Sequence, residues 1–408
     1  MRHLVLGSAV IALAVGVQGA AYDWPQFLGP ERNGVYRGPA IAETWPAGGP
    51  RVVWRKQAGE GFSGPVVAEN RVILFHRVSD REIVESLDAR TGMSQWQYGY
   101  PTSYRDDFGF DEGPRAVPVV AGGVVYTFGA EGQLHAVELA TGKRIWSENT
   151  AQRFAVPKGF FGAGGSPLVE NGRVIANIGG KGAGIVAFDA KTGKVIWTAT
   201  EDAASYSSPI GATISGRRYA IFFTRNGLAA VDPATGELRF ERRWRARIAA
   251  SVNAATPVVI DDLIFISAEY GPGAGVLRWD GSKLTDLWAS DDALTNHYAT
   301  SVYHEGYLYG YHGRQEFNPS FRAIEMRTGK VRWSEDRFRA GSVMLAGNRL
   351  LILRETGELI LAAASPEAFR PIARAQVLPA TVRAYPALAD GFLYLRNENT
   401  LVSLDLRR

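Results

Sequence analysis

The chain has 408 residues and not one cysteine. This excludes disulfides, cysteine-ligated metals, a CxxCH haem attachment and a lipid anchor carried on cysteine. It does not argue for the cytosol, because a chain this long can bury a core that holds without cross-links. Long apolar runs are scarce as well. The one present, residues 4–17, follows the basic start Met1-Arg2-His3 and precedes the small residues Gly19-Ala20-Ala21. It is too short and too glycine-interrupted to span a bilayer, and it has the layout of a secretory leader over residues 1–21. An excess of one charge is also missing: 45 Lys and Arg against 41 Asp and Glu leave a net charge of +4. Behind a leader, that balance speaks against nucleic acid as a partner.

Helix-favouring composition is weak. Glycine is abundant (46 residues), and Val, Ile, Tyr, Phe and Trp crowd into short runs bounded by Gly, Pro, Asn and Asp, the pattern of an all-β chain. These runs repeat. AFDAKTGKVIW (187–197) has relatives in SLDARTGMSQW (86–96), AVELATGKRIW (136–146), AVDPATGELRF (230–240) and AIEMRTGKVRW (323–333), with a degenerate copy in VLRWDGSKLTDLW (276–288). The turn glycines Gly92, Gly142, Gly193, Gly236, Gly281 and Gly329 are spaced by 43 to 51 residues. Upstream of each copy lies a pair of strand-like runs around a two-residue turn: Glu69-Asn70, Gly122-Gly123, Asn171-Gly172, Ser215-Gly216, Asp261-Asp262 and Glu305-Gly306, with two more at Gly347-Asn348 and Asp390-Gly391. Most of these pairs tolerate the positive φ of tight hairpins.

Each unit is therefore four strands, and a unit of this period and strand count fits a propeller blade. Eight turns predict an all-β, eight-bladed β-propeller. The last unit stops after its third strand, while RVVWRKQAG (51–59) is an orphan outer strand carrying Trp54 at the repeat's tryptophan position. The two chain ends are expected to share a blade and shut the ring. Residues 22–50 are expected as an extended arm outside the ring, residues 51–408 as the propeller, with no second domain and as a monomer. Trp54, Trp96, Trp146, Trp197, Trp288 and Trp333, with Phe240 in the same slot, are expected to dock between neighbouring blades, because a repeated position serves a repeated contact.

The A-x-D-x-x-T-G-K-x-x-W pattern, complete at Ala187, Asp189, Thr192, Gly193, Lys194 and Trp197, resembles the docking repeat of PQQ-type eight-bladed propellers. That superfamily holds the quinoprotein alcohol dehydrogenases and the BamB-like outer-membrane assembly factors. DWPQFLGPERNG (23–34), GPRAVP (113–118), YSSPI (206–210) and NHYATSV (296–302) further resemble a group of secreted bacterial proteins with PQQ-binding-like repeats. The resemblance implies a periplasmic or secreted location in a bacterial envelope. It leaves activity open, since one fold hosts enzymes and scaffolds.

Function must come from positions that do not repeat, at one mouth of the axial channel. Pairing about the turns sets His76 opposite Ser63, Asn177 opposite Ser166, Asn253 opposite Tyr270 with Glu269 adjacent, and Arg396 opposite Tyr385. It sets His297 near Tyr311, His312 and Arg314. Arg115, Lys181, Arg225, Asn226 and Arg354 complete a mouth rich in cations and amides and poor in acids. A ring of guanidinium groups suits an anionic ligand, or an acidic loop of an envelope protein; solvated rim residues are the plain alternative for each arginine.

Two functions are expected from this. One is a binding or scaffold module for an anionic small molecule or an envelope protein. The other is a PQQ-dependent alcohol or sugar oxidoreductase, with PQQ and Ca²⁺ as cofactors. For Ca²⁺, Glu269 and Asn253 offer themselves, short of the six or more oxygens such an ion takes. The insertion SYRDDFGFDEGPR (103–115), with Asp106, Asp107, Asp111 and Glu112, does not match an EF-hand loop and reads as a solvated surface loop. The adjacent cysteine pair and the haem segment of the family's dehydrogenases are missing here. No catalytic residue can be named. The glycine-rich GGKGAG (179–184) joins two strands rather than opening a helix, so it is no P-loop.

Overall fold

At each of the eight expected hairpins the first turn residue holds a positive φ: Glu69, Gly122, Asn171, Ser215, Asp261, Glu305, Gly347 and Asp390, all between +46° and +60°. That backbone reverses the chain within two residues and matches the natural twist of the paired strands. A computed structural model of the chain describes residues 22–248 and 251–408; the expected leader, residues 1–21, lies outside the described residues. The result is an eight-bladed propeller. Blades 1 to 6 are four-stranded antiparallel sheets over residues 66–101, 119–149, 168–199, 210–243, 258–290 and 302–335. Blade 7 (341–376) carries a short fifth strand. Blade 8 takes three strands from residues 387–405 and its outer strand from Arg51–Gln57, which runs antiparallel to Thr400–Asp405. The ring is shut by its two ends, as the orphan tryptophan strand implied. Helix is limited to one turn at Thr150–Arg153 and a 3-10 turn at Gln315–Phe317 among the described residues, and no helix there is long and apolar enough to cross a membrane.

The repeated tryptophans span the seams between blades. Trp54 of blade 8 donates its indole N–H to the Ala89 carbonyl of blade 1 at 3.0 Å, Trp96 to Leu139, Trp146 to Ala190, Trp197 to Pro233, Trp288 to Met326 and Trp333 to Ser365. Every acceptor belongs to the next blade. Phe240 has no N–H to give and instead lies 4.4 Å from the Trp279 ring of blade 5. The Thr-Gly turn of the following blade lies over five of these indoles, Trp54, Trp96, Trp146, Trp197 and Trp288, and this fixes why the turn residue is glycine: a Cβ on Gly193 (φ +71°) would stand 2.7 Å from the Trp146 ring. Two requirements, a left-handed backbone and close approach, meet at one residue. The preceding acid caps the same turn; Asp189 accepts from the Thr192 N–H and hydroxyl at 2.8 and 2.7 Å.

The arm departs from expectation. It was placed outside the ring, but residues 22–36 enter the channel. Trp24 pairs with Val67 of blade 1, the Pro25 carbonyl accepts from Val120 of blade 2, and Val35–Tyr36 run parallel to the inner strand of blade 7 through Leu345 and Ala346. Tyr22 donates its N–H to Asp390, and the Tyr36 hydroxyl accepts from Gly391, both in the blade 8 hairpin. Between these anchors Leu28, Gly29, Arg32 and Gly34 all hold positive φ, winding the chain into a knot of turns. Trp24 and Arg32 are each 2% exposed. No residue pattern foretells this, because the arm is held largely by the free inner edges of the blades, which bond through backbone groups and carry no side-chain pattern.

Candidate functional site

With one end of the channel filled by the arm, the other remains as a pocket. Phe27 from the arm is its floor, and the segments that lead into the inner strands are its walls. A regularity governs those walls. The residue three before the residue that opens each inner strand (Pro65, Pro118, Pro167, Pro209, Pro257, Ser301, Pro386) lines the pocket in seven blades: Phe62, Arg115, Gly164, Tyr206, Ala254, Tyr298 and Arg383. This repeating position with non-repeating occupants was legible in the sequence and was missed. Behind it a belt of hydroxyls ties blade to blade. Ser166 accepts from the Val117 N–H (2.8 Å), Ser208 from Ser166 (2.9 Å), Thr300 from Thr256 (3.0 Å), and the Tyr385 hydroxyl from Thr300 (2.5 Å). Bonds of this kind fix the wall geometry without a moving loop.

The pocket encloses 220 Å³. Its surface is mainly aromatic, from Phe27, Phe62, Phe110, Phe161, Tyr206, Tyr270, Tyr298 and Tyr385. Its charges are paired. The Arg115 guanidinium donates to fully buried Asp106 at 2.5 Å and lies 5.4 Å from the Phe62 and Phe161 rings. Arg383 meets Glu355 at 3.1 Å, a carboxylate that also accepts from the Tyr298 hydroxyl. Beside the pocket Arg314 faces Glu316 at 3.1 Å and lies over Tyr270. The excess of cations inferred from sequence is therefore cancelled by acids supplied from neighbouring loops. Asp106 comes from the insertion after blade 1, which had read as a solvated surface loop.

Of the residues expected at the mouth, Arg115, Ser166, Tyr270, His297 and Tyr385 line this pocket. His297 Nε2 lies 2.9 Å from the Tyr270 hydroxyl, while its buried Nδ1 has no hydrogen-bond partner. Burial lowers its pKa below the usual imidazole value. Burial raises the Tyr385 phenol to about 12. Arg314 stands at the edge. The other expected residues lie elsewhere. His76 is buried between blades 8 and 1, where Nδ1 accepts from the Gly59 N–H and Nε2 stands 3.6 Å from Glu85; burial, aided by Arg396, pushes its pKa down to about 4. Arg396 is wholly buried and donates to the carbonyls of Gly59, Asn397 and Glu398, with desolvation pulling its pKa to about 10. Arg354 bonds Glu358 and stacks 4.0 Å from the Phe338 ring. Lys181 is exposed at a strand turn of blade 3. Asn253 donates to Thr224 and Trp244 carbonyls, and His312 Nδ1 accepts from the Thr295 N–H. Lys181 apart, strand parity was right about the blade but wrong about depth: these side chains are held by backbone groups or a carboxylate instead of facing the pocket.

Asn177 and Arg225 share a second, larger cavity of 550 Å³ over blades 2 to 4. Asn177 there bonds the Gly184 carbonyl and the Ser205 N–H. Arg225 bonds Ser251, and burial, then the nearby Arg245, lowers its pKa. This cavity abuts the axial pocket: Tyr206 and Gly164 line both.

A carboxylate-bearing quinone beside Ca²⁺ does not fit the axial donor set. Arg115, Arg314, Arg354 and Arg383 each already face a carboxylate. Glu269 is taken up by the Thr295 hydroxyl and the Tyr270 N–H, and Asn253 by backbone. No group of three or more His, Asp or Glu stands ready for a metal among the described residues.

A family model described as outer membrane protein assembly factor BamB matches residues 44–152 and 80–335. Quinohemoprotein alcohol dehydrogenase ADH-IIG of Pseudomonas putida is 38% identical over 122 residues, covering 28% of this chain and 16% of that protein. BamB of Burkholderia pseudomallei is 28% identical over 191 residues, covering 45% and 44%. The chain thus spans less than half the length of these curated relatives. Among solved structures, BamB from Moraxella catarrhalis superposes with a TM-score of 0.64 at 15% identity over 87% of this chain and 97% of that one. Quinohemoprotein alcohol dehydrogenase from Comamonas testosteroni gives 0.67 at 16% identity over 94% and 80%. At such identities the likeness is one of fold.

Proposed function

Because this chain belongs to the BamB family of PQQ-repeat propellers, we propose that it is a binding module of the bacterial envelope, receiving a small ligand through the open mouth of its axial pocket. The observation that carries this is the wall chemistry: eight aromatic rings around a pocket whose arginines are each satisfied by a carboxylate. Enclosed apolar walls with a few fixed polar groups suit recognition of a ring-shaped ligand. A strongly anionic ligand would have to break existing ion pairs, so the basic-mouth reading gives way to one based on stacking. The leader-like start and a relative named for the outer membrane support that location. The donor set does not favour a quinone enzyme, and this is open to test. Protein incubated with PQQ and Ca²⁺ is assayed for dye-linked oxidation of primary alcohols and glucose. The binding reading expects no rate above background; a saturable, PQQ-dependent rate overturns it.

A further inference from the structure

The axial pocket and the larger cavity share one wall, and their chemistry is of one kind. Tyr206 is the partition: its hydroxyl accepts from the Phe161 N–H at 3.0 Å and its ring meets Phe161 edge-on at 5.4 Å. Phe161 faces the pocket while its neighbour Phe160 faces the cavity. Tyr104, which lines the cavity, is 3% exposed and its buried hydroxyl has no hydrogen-bond partner. A hydroxyl left so is a donor or acceptor awaiting one. Where the two spaces meet, Gly164 lines both, and a Cβ there would stand 2.8 Å from the Tyr206 ring, so only glycine lets the chain pass this close to the partition. Two of the cavity's cations are matched as the pocket's are: Arg105 faces Glu112 at 2.8 Å and Lys158 faces Asp107, while Arg225 bonds the Ser251 hydroxyl.

Resting on the binding reading above, we propose that the two spaces form one continuous site for a linear, uncharged oligosaccharide, one sugar ring seated in the axial pocket and following units crossing Tyr206 into the cavity. Sugar rings present flat C–H faces that stack on aromatic rings, and hydroxyls that both donate and accept. The site offers both complements: ring faces on each side of Tyr206, and the paired charges and Tyr104 hydroxyl at their edges. Cancelled charge disfavours a uronic acid chain. An extended peptide would seek an unpaired strand edge, and these walls are loops.

The test uses the full mature chain and neutral hexasaccharides of glucose, N-acetylglucosamine and xylose, with the matching disaccharides and a hexagalacturonate, in calorimetry. The expected result is saturable binding of a neutral hexasaccharide, at least about tenfold tighter than its disaccharide, and unchanged from about 0.05 to 0.5 M salt, since uncharged contacts are not screened. Phe110→Ala, a change at a half-exposed ring, should weaken binding about five- to tenfold with an unaltered melting curve. Tyr104→Phe should weaken the hexasaccharide and leave the disaccharide unchanged. Equal affinity for long and short chains, tighter binding of hexagalacturonate, or no binding of any neutral sugar overturns the proposal. So does selection of peptides over sugars from a mixed library. These failures leave the binding-module reading standing, whereas a PQQ-dependent oxidation rate removes both.

Discussion

Phe27 meets Tyr385 edge-on, with ring centroids 4.9 Å apart. One ring comes from the arm that opens the described chain and the other from the blade that closes it, so the base of the pocket is made jointly by both ends of the sequence. The pocket therefore depends on ring closure and on the arm together, and each can be probed separately.

The seams should bear most of the load. Trp197→Ala removes a 9% exposed indole and its bond to the Pro233 carbonyl. A loss of about 3–5 kcal/mol is expected, as for other large aromatic truncations in cores. Chemical denaturation measures it, and an unchanged midpoint would show that the indole is not a seam contact of consequence.

Two glycines separate conformation from space. Gly193→Ala must adopt a left-handed backbone and also press on the Trp146 ring, whereas Gly122→Ala meets nothing within 4 Å. The first cost is roughly 1–2 kcal/mol for each, and overpacking adds about 1–3 kcal/mol for Gly193 alone. Gly193→Ala should thus melt well below Gly122→Ala; equal melting temperatures would mean that the turn does not press on the indole.

Arg32 is the bolt of the arm. It donates to the carbonyls of Pro167 at 2.7 Å and Ser166 at 3.1 Å, and desolvation pulls its pKa to about 9. Arg32→Ala strands those carbonyls, a cost of about 1.5–3 kcal/mol for charge-assisted bonds. Hydrogen exchange should show residues 24–36 losing protection while the blades keep theirs. Protection retained across the arm would mean that its strand pairing suffices.

Acid should loosen the seam between blades 8 and 1. His76 is held neutral in the fold, with a pKa of about 4 against an ordinary value of 6.5. Above pH 6.5 both folded and unfolded chains carry the neutral ring, and its contribution does not change with pH. As pH falls from 6.5 to 4 the unfolded chain takes up the proton first, so stability is lost across that window, by roughly 3 kcal/mol at most. His76→Gln, whose amide oxygen can still accept from Gly59, should flatten that slope. A stability profile identical to the parent between pH 7 and 4 would place the acid sensitivity elsewhere.

The blade count, the shared eighth blade and the turn glycines were all legible, because they rest on local backbone demands repeated along the chain. Depth was not. Strand parity assigns a side chain to a face, yet Arg396 and His76 show that a face near a blade seam can be fully closed. Charge pairing was hidden for a different reason: Asp106 reaches Arg115 from across a turn, and Glu355 reaches Arg383 across 28 residues, separations no local pattern records. The arm was hidden because its bonds are largely backbone to backbone.

The arm also orients the molecule. Tyr22 is pinned beside the blade 8 hairpin, on the side of the ring away from the aromatic opening. The first described residue is thus clamped at the end of the ring opposite the cup, while the cup's base is closed by rings from the arm and the last blade.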